Sequence, residues 1–225
     1  MDILSLQNVV YTYRNKFQTV YAVNDITYSF KPGKIYAVVG KSGSGKTTLL
    51  SLLAGLDLPT QGKVLYEDMP THTMDCDLYR RDKVTVIYQS FNLFPLLTIL
   101  ENVMYPLRLN KVLKKEAEEV AMKKLKAVGL DEQYFKRLPH MLSGGEQQRV
   151  AIARALASKA NVILADEPTG NLDSENSKNI IQTLKHLAHE DNYCVIVVTH
   201  DLTISDEADV IVRMADGKIQ TELEL

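Results

Sequence analysis

The sequence predicts an α/β fold, a mainly parallel sheet covered by helices, with an N-terminal antiparallel β portion and an inserted helical portion. Three observations lead there. Ile35–Val39, Val84–Tyr88, 162–165 and 195–198 are rich in β-branched residues and nearly free of charge, as buried parallel strands are. Helical patterns lie among them, which is the order of an α/β chain. Segments 3–13 and 21–30, ahead of the first run, read as two antiparallel strands.

The remaining elements follow in order. Residues 47–56 continue Ile35–Val39 as a helix. In the charge-rich stretch 111–126, Ala117, Val120, Ala121, Leu125 and Val128 recur at helical spacing among Lys and Glu, and Gly129 stands where a C-terminal cap belongs. Ser143 and Glu146 have capping-box spacing at the head of a helix through Val150, Ala151 and Ala155. Near the end, 210–214 and 218–221 flank Asp216-Gly217, a hairpin signal. No internal repeat or Pro/Gly/Ser-rich linker divides the chain, so one domain over 1–225 is expected, its core formed by 1–89 and 158–225 and its helical insertion by 90–157.

Composition narrows the class. The chain has 225 residues, 45% hydrophobic and 24% charged, enough for a full core and unlike disordered or collagen-like chains. With 26 Lys+Arg against 28 Asp+Glu the net charge is −2, without the basic excess of a general nucleic-acid binder. Cys76 and Cys194 have no metal-ligand spacing and suggest no disulfide framework. No apolar stretch approaches the roughly 18 residues that span a bilayer, and residues 1–3 show no basic leader.

Gly40-Lys41-Ser42-Gly43-Ser44-Gly45-Lys46-Thr47 follows one apolar run and opens a helix at Thr48, the context a P-loop requires. Glycines let successive backbone N–H groups converge on phosphate oxygens, and the helix adds the positive end of its dipole. Lys46 would reach the β- and γ-phosphates and Thr47 would ligate Mg²⁺. By chance such a pattern arises in a chain this long on the order of once per hundred. Asp166 and Glu167 end the strand 162–165, at the sheet edge where α/β proteins bind ligands. Asp166 is suited to hold Mg²⁺ through water, and Glu167 to polarise the attacking water. The core is thus expected to be that of a P-loop NTPase of the RecA-like kind.

Leu142-Ser143-Gly144-Gly145-Glu146-Gln147-Gln148-Arg149 resembles the signature motif of the nucleotide-binding subunits of ABC transporters. A capped helix that opens on two glycines exposes N–H groups to an anion. The resemblance implies that Ser143, Gly144, Gly145 and Glu146 contact ATP held by a second copy, in a two-fold dimer with two shared sites. It further implies that Gln89 senses Mg²⁺ and the permease, that His200 contacts the γ-phosphate beside Glu167, and that Asp173 belongs to a loop at the dimer interface. On its residues alone, Asp173 reads equally as the N-cap of the next helix. Tyr13 matches the aromatic that stacks on adenine, although Tyr11, two residues earlier on the same face, could serve.

Within the family, Phe91-Asn92-Leu93 and the stretch from Pro168 to Asp173 resemble the branch of macrolide and antimicrobial-peptide exporters, lipoprotein-release complexes and a cell-division complex. The implied protein is an ATPase at the cytoplasmic face of the membrane. It would dimerise and drive a separately encoded integral membrane permease, with an extracytoplasmic accessory protein in some members. The permease would be gripped by 91–157, where Phe91 and Phe94 either face it or pack into the insertion's own core. The chain ends four residues after Thr221, which favours export over nutrient import. Only 54 residues separate Gln89 from Ser143, far too few for the coiled coils of chromosome-maintenance relatives. No Asn-Lys-x-Asp motif reads guanine, and translation-factor relatives need two tandem ATPase domains. A soluble assembly ATPase and a cell-division ATPase stay open as alternatives.

Overall fold

A charge-free strand must be paired on both edges and covered on both faces, and the chain supplies those neighbours from distant segments. The computed structural model describes residues 1–14 and 18–224. In chain order its elements are β1 (Leu4–Arg14), β2 (Thr19–Phe30), β3 (Ile35–Val39), α1 (Lys46–Leu53), β4 (Gln61–Tyr66), β5 (Met69–Pro70), α2 (Cys76–Asp82) and β6 (Val84–Tyr88). There follow α3 (Ile99–Leu109), α4 (Lys114–Ala127), α5 (Gly144–Leu156), β7 (Val162–Asp166), α6 (Ser174–His189), β8 (Cys194–Thr199), α7 (Leu202–Ser205), β9 (Val210–Ala215) and β10 (Lys218–Glu224).

The larger sheet has six strands in the order β10-β9-β3-β8-β7-β6, parallel except for β10. Every residue of β3 and β8 is buried. The two-residue period of a strand sorts their side chains between two cores. Val195 and Val197 of β8 enter the core shared with α3 to α6, while Cys194, Ile196 and Val198 enter the one beneath α1. The smaller, antiparallel sheet has the order β2-β1-β4-β5. Leu49, Leu50, Leu52 and Leu53 of α1 pack in one core with residues of both sheets, so the helix behind the glycine loop is clamped between them.

Between β6 and β7 the chain runs through α3, α4 and α5, whose apolar faces continue the core under the central sheet. On α4 the fully buried stripe is Ala117, Ala121 and Leu125, and the expected Val120 is only half-buried. The helix closes in a Schellman motif: Gly129 takes φ 77°, Gly129 N–H donates to Lys126 and Leu130 N–H to Leu125. The helix expected over 47–56 stops at Leu53. Gly55 turns the chain at φ 64°, with the Tyr79 ring 3.0 Å from where a Cβ would stand.

Candidate functional site

The glycine loop connects the buried end of β3 to α1. Gly43 and Gly45 have φ of 79° and 99°, and a Cβ on Gly45 would lie 2.0 Å from the carbonyl oxygen of Ala22, so only glycine fits. The loop is braced from below by the turn between β9 and β10. Gly217 N–H donates to Ser44 O at 3.1 Å, and Asn24 N–H donates to Gly217 O at 2.8 Å. Gly40 lies so close to Met214 O that a Cβ would meet it at 2.3 Å. Lys46, 8% exposed, donates to the carbonyls of Gly40 and Lys41 at 2.7 and 3.1 Å, while the buried Ser44 hydroxyl has no hydrogen-bond partner. A cation held on loop carbonyls and an orphaned hydroxyl suit a loop that wraps phosphate.

Thr47 lies beside the carboxylate of Asp166, at the end of β7, and favours its charged form. Burial raises the Asp166 pKa above the ordinary carboxylate value and the charge of Glu167 adds to this, while Thr47 and Lys46 oppose it. A hydroxyl beside a half-buried carboxylate that lacks a full counter-charge is a hard oxygen donor set, and it fits Mg²⁺.

Glu167 follows with φ 47°, a left-handed conformation that costs a side-chain-bearing residue roughly 1–2 kcal/mol. Its carboxylate is fixed by three groups: it accepts from the Thr199 hydroxyl at 3.0 Å and from His200 N–H at 3.1 Å, and lies 2.7 Å from His200 Nδ1. Gln89 follows β6. Its carbonyl accepts from Asn171 Nδ2 at 3.0 Å and its amide lies 3.4 Å from Asn171 Oδ1, so close to Gly170 that a Cβ there would meet Gln89 Nε2 at 2.5 Å. Phe91 and Asn92, just beyond, both take positive φ, 61° and 47°.

A cavity of about 820 Å³ unites Tyr13, Val20, Tyr21, Ser42, Gly43, Gly45, Lys46, Thr47, Thr48, Glu167 and His200. Tyr13 lines it, with its hydroxyl 3.4 Å from Thr48 Oγ1. Tyr11 instead packs against the core, its ring edge-on to Tyr13 at 5.1 Å. Of the two tyrosines, only Tyr13 lines the cavity. Ser143, Gly144, Gly145 and Glu146 do not line this cavity. They open α5 in a complete capping box, Ser143 Oγ accepting from Glu146 N–H at 3.3 Å and Glu146 Oε2 from Ser143 N–H at 2.7 Å. Asp173 caps α6, accepting from Asn176 N–H and Nδ2, each at 2.8 Å, and those donors hold its carboxyl below the usual range. Phe91 is half-buried and Phe94 38% exposed, so neither lies in the insertion's core.

Sequence reasoning did not single out Thr199, which orients Glu167, the Asn171 amide that ties down Gln89, or the Gly217 brace. Thr199 immediately precedes His200 at a strand end, which is the one signal the sequence offered for it.

By fold and site the chain is a P-loop nucleotide hydrolase. Comparison with known proteins carries this further: the ABC transporter family model matches residues 23–170, and the chain belongs to that family as an ATP-binding, ATP-hydrolysing subunit. It is 41% identical over 217 residues to the uncharacterized ABC transporter ATP-binding protein YclH of Bacillus subtilis, covering 96% of this chain and 95% of YclH. It is 42% identical over 229 residues to MJ0796 of Methanocaldococcus jannaschii, covering 99% and 97%. The dimeric structure of MJ0796, a bacterial ABC transporter cassette, matches with a TM-score of 0.90 at 40% identity and 99% coverage of both chains. A post-hydrolysis dimer of MJ0796 bound to ADP and Pi matches equally. CbiO1 of Clostridium perfringens, part of the cbiONQ transporter complex, matches with a TM-score of 0.88 at 26% identity, over 99% of this chain and 88% of cbiO1.

Proposed function

We propose that two copies of this chain close face to face around two ATP molecules. Each phosphate loop is then covered by the Ser143–Glu146 segment of the other copy. The observation that carries this is the separation within one chain: a capped, glycine-opened helix start built for an anion stands outside the cavity that holds Lys46 and Glu167. The dimers formed by MJ0796 support the same arrangement.

In this reading Tyr13 stacks on adenine, the loop 40–45 with Lys46 and Thr48 grips the phosphates, and Thr47 and Asp166 hold Mg²⁺ with Gln89 nearby. When bound, the ion offsets charge on the phosphate oxygens. Glu167, held by Thr199 and His200, takes the proton of the attacking water, and His200 faces the γ-phosphate. Asp173, through its cap, sets the interface loop. Among the described residues no helix is long and apolar enough to cross a membrane, and a separate permease supplies the span. It docks on a groove of about 520 Å³ where Arg80, Phe94, Tyr105, Leu109 and Arg154 meet, with the Phe94 and Tyr105 rings 4.4 Å apart. Resemblance of 91–93 and 168–173 to the branch of macrolide and antimicrobial-peptide exporters, lipoprotein-release complexes and a cell-division complex supports efflux as the work done, with force transmission through the permease for lipoprotein release or cell division as the alternative.

Glu167→Gln tests both halves. It should bind ATP, dimerise with it, and lose turnover by about 10²–10⁴-fold. Trapped with ATP and Mg²⁺ and recovered from detergent-solubilised native membranes, it should bring down a permease. Turnover near wild type would remove Glu167 as the base, and recovery of soluble proteins alone would replace the transport reading with an assembly ATPase.

A further inference from the structure

The positive φ of Phe91 and Asn92 is braced locally, Ser90 Oγ donating to Asn92 Oδ1 at 3.0 Å and Phe91 N–H to Tyr88 O at 3.2 Å, and it is also held from across the insertion. Arg154, eleven residues along α5 from Ser143, donates through Nη1 to Asn92 O at 2.6 Å and through Nη2 to Phe91 O at 3.0 Å. Its guanidinium lies 6.0 Å from the centre of the Phe94 ring. Among the described residues no carboxylate pairs with it, and the two hydrogen bonds it makes both go to backbone carbonyls. It also lines the groove with Phe94 and Tyr105. One side chain therefore touches the groove, rides on the helix that starts at the signature segment, and grips the backbone two residues beyond Gln89.

We infer that Arg154 is the positioning residue that fixes the place of Gln89 from α5. The planar fork of the guanidinium is what two adjacent carbonyls in left-handed geometry demand, and a lysine offers a point charge with no such fork. The fork ties residues 91–92 to α5 and so sets where Gln89, two residues before Phe91, stands relative to Thr47 and Asp166. An occupant of the groove acts on the same guanidinium.

The inference rests on the role proposed above for Gln89, so the test is a double-mutant cycle on the purified full chain, with steady-state kcat and KM for Mg·ATP as readouts. Arg154→Met should lower kcat about tenfold with KM within about twofold, and in the Gln89→Ala background the same change should cost less than about twofold. Arg154→Lys should follow Arg154→Met, and serves in its place should Met impair folding. Arg154 is overturned by a full tenfold loss in the Gln89→Ala background, by a proportional rise in KM, or by unchanged kcat. A Gln89→Ala variant with wild-type kcat and Mg²⁺ dependence overturns the reading of Gln89 instead.

Discussion

Two capping boxes of the same design stand in the helical insertion, and they separate stability from function. At α3, Thr98 Oγ1 accepts from Glu101 N–H at 3.2 Å and Glu101 Oε2 from Thr98 N–H at 2.8 Å. At α5 the matching distances for Ser143 and Glu146 are 3.3 and 2.7 Å. Thr98→Ala and Ser143→Ala each delete one cap acceptor and leave the returning carboxylate bond in place. Each should therefore cost about 1 kcal/mol, a fall in Tm of about 2–4 °C for a chain of this size. Their effects on hydrolysis should part. Thr98→Ala should leave kcat within about twofold of wild type, while Ser143→Ala, which in the proposed dimer would strip a donor from the γ-phosphate of the other copy, should lower it by about 10²-fold or more. Thermal melts and phosphate release on the same preparations give both numbers. Equal losses of activity in the two variants would show that hydrolysis merely follows the stability of the insertion, and would refute the role of Ser143.

Tyr13→Ala should weaken ATP binding by about 1–3 kcal/mol, the worth of one stacked base, at little cost in Tm. Tyr11→Ala should do the reverse, and fluorescent-nucleotide titration with melts would expose a wrong assignment. Asp166→Asn should abolish hydrolysis yet raise the melting temperature of the nucleotide-free chain near neutral pH. Because burial raises the folded-state pKa of Asp166, the wild type carries a penalty that grows as pH rises through that value and is absent below the ordinary carboxylate pKa. The advantage of the Asn variant should thus shrink as pH falls toward that range, and an advantage constant with pH would contradict the cause.

The parallel strands were legible because burial on both faces leaves near-continuous Val and Ile, and the helix start at Ser143 because cap chemistry is local, while the helix behind the glycine loop begins at Lys46, one residue ahead of the expected Thr47. What the sequence could not disclose is made by distant pairs. Thr199 meets Glu167 only because β7 and β8 lie side by side. The sequence favoured Tyr13 over Tyr11, but where each ring lies needed the register of β1, whose pairing with β2 shifts at Tyr11 and Thr12, with Tyr13 lining the cavity and Tyr11 packed on the core. Asp173 is the instructive case. Both its readings were available from the sequence, and the structure displays the cap, because a single chain holds the donors of α6 but no second copy.

The position of β3 in the sheet has a consequence for how this protein comes into being. Its two hydrogen-bonded neighbours are β8 and β9, and the loop it feeds is buttressed by Gly217, all from the last stretch of the chain. A ribosome delivers the phosphate-gripping residues early and their supports last. The nascent polypeptide therefore carries every residue of the loop before the strands that flank β3 have been made. Pairings of such long sequence separation also close slowly, and β3 gains both of its neighbours only through them.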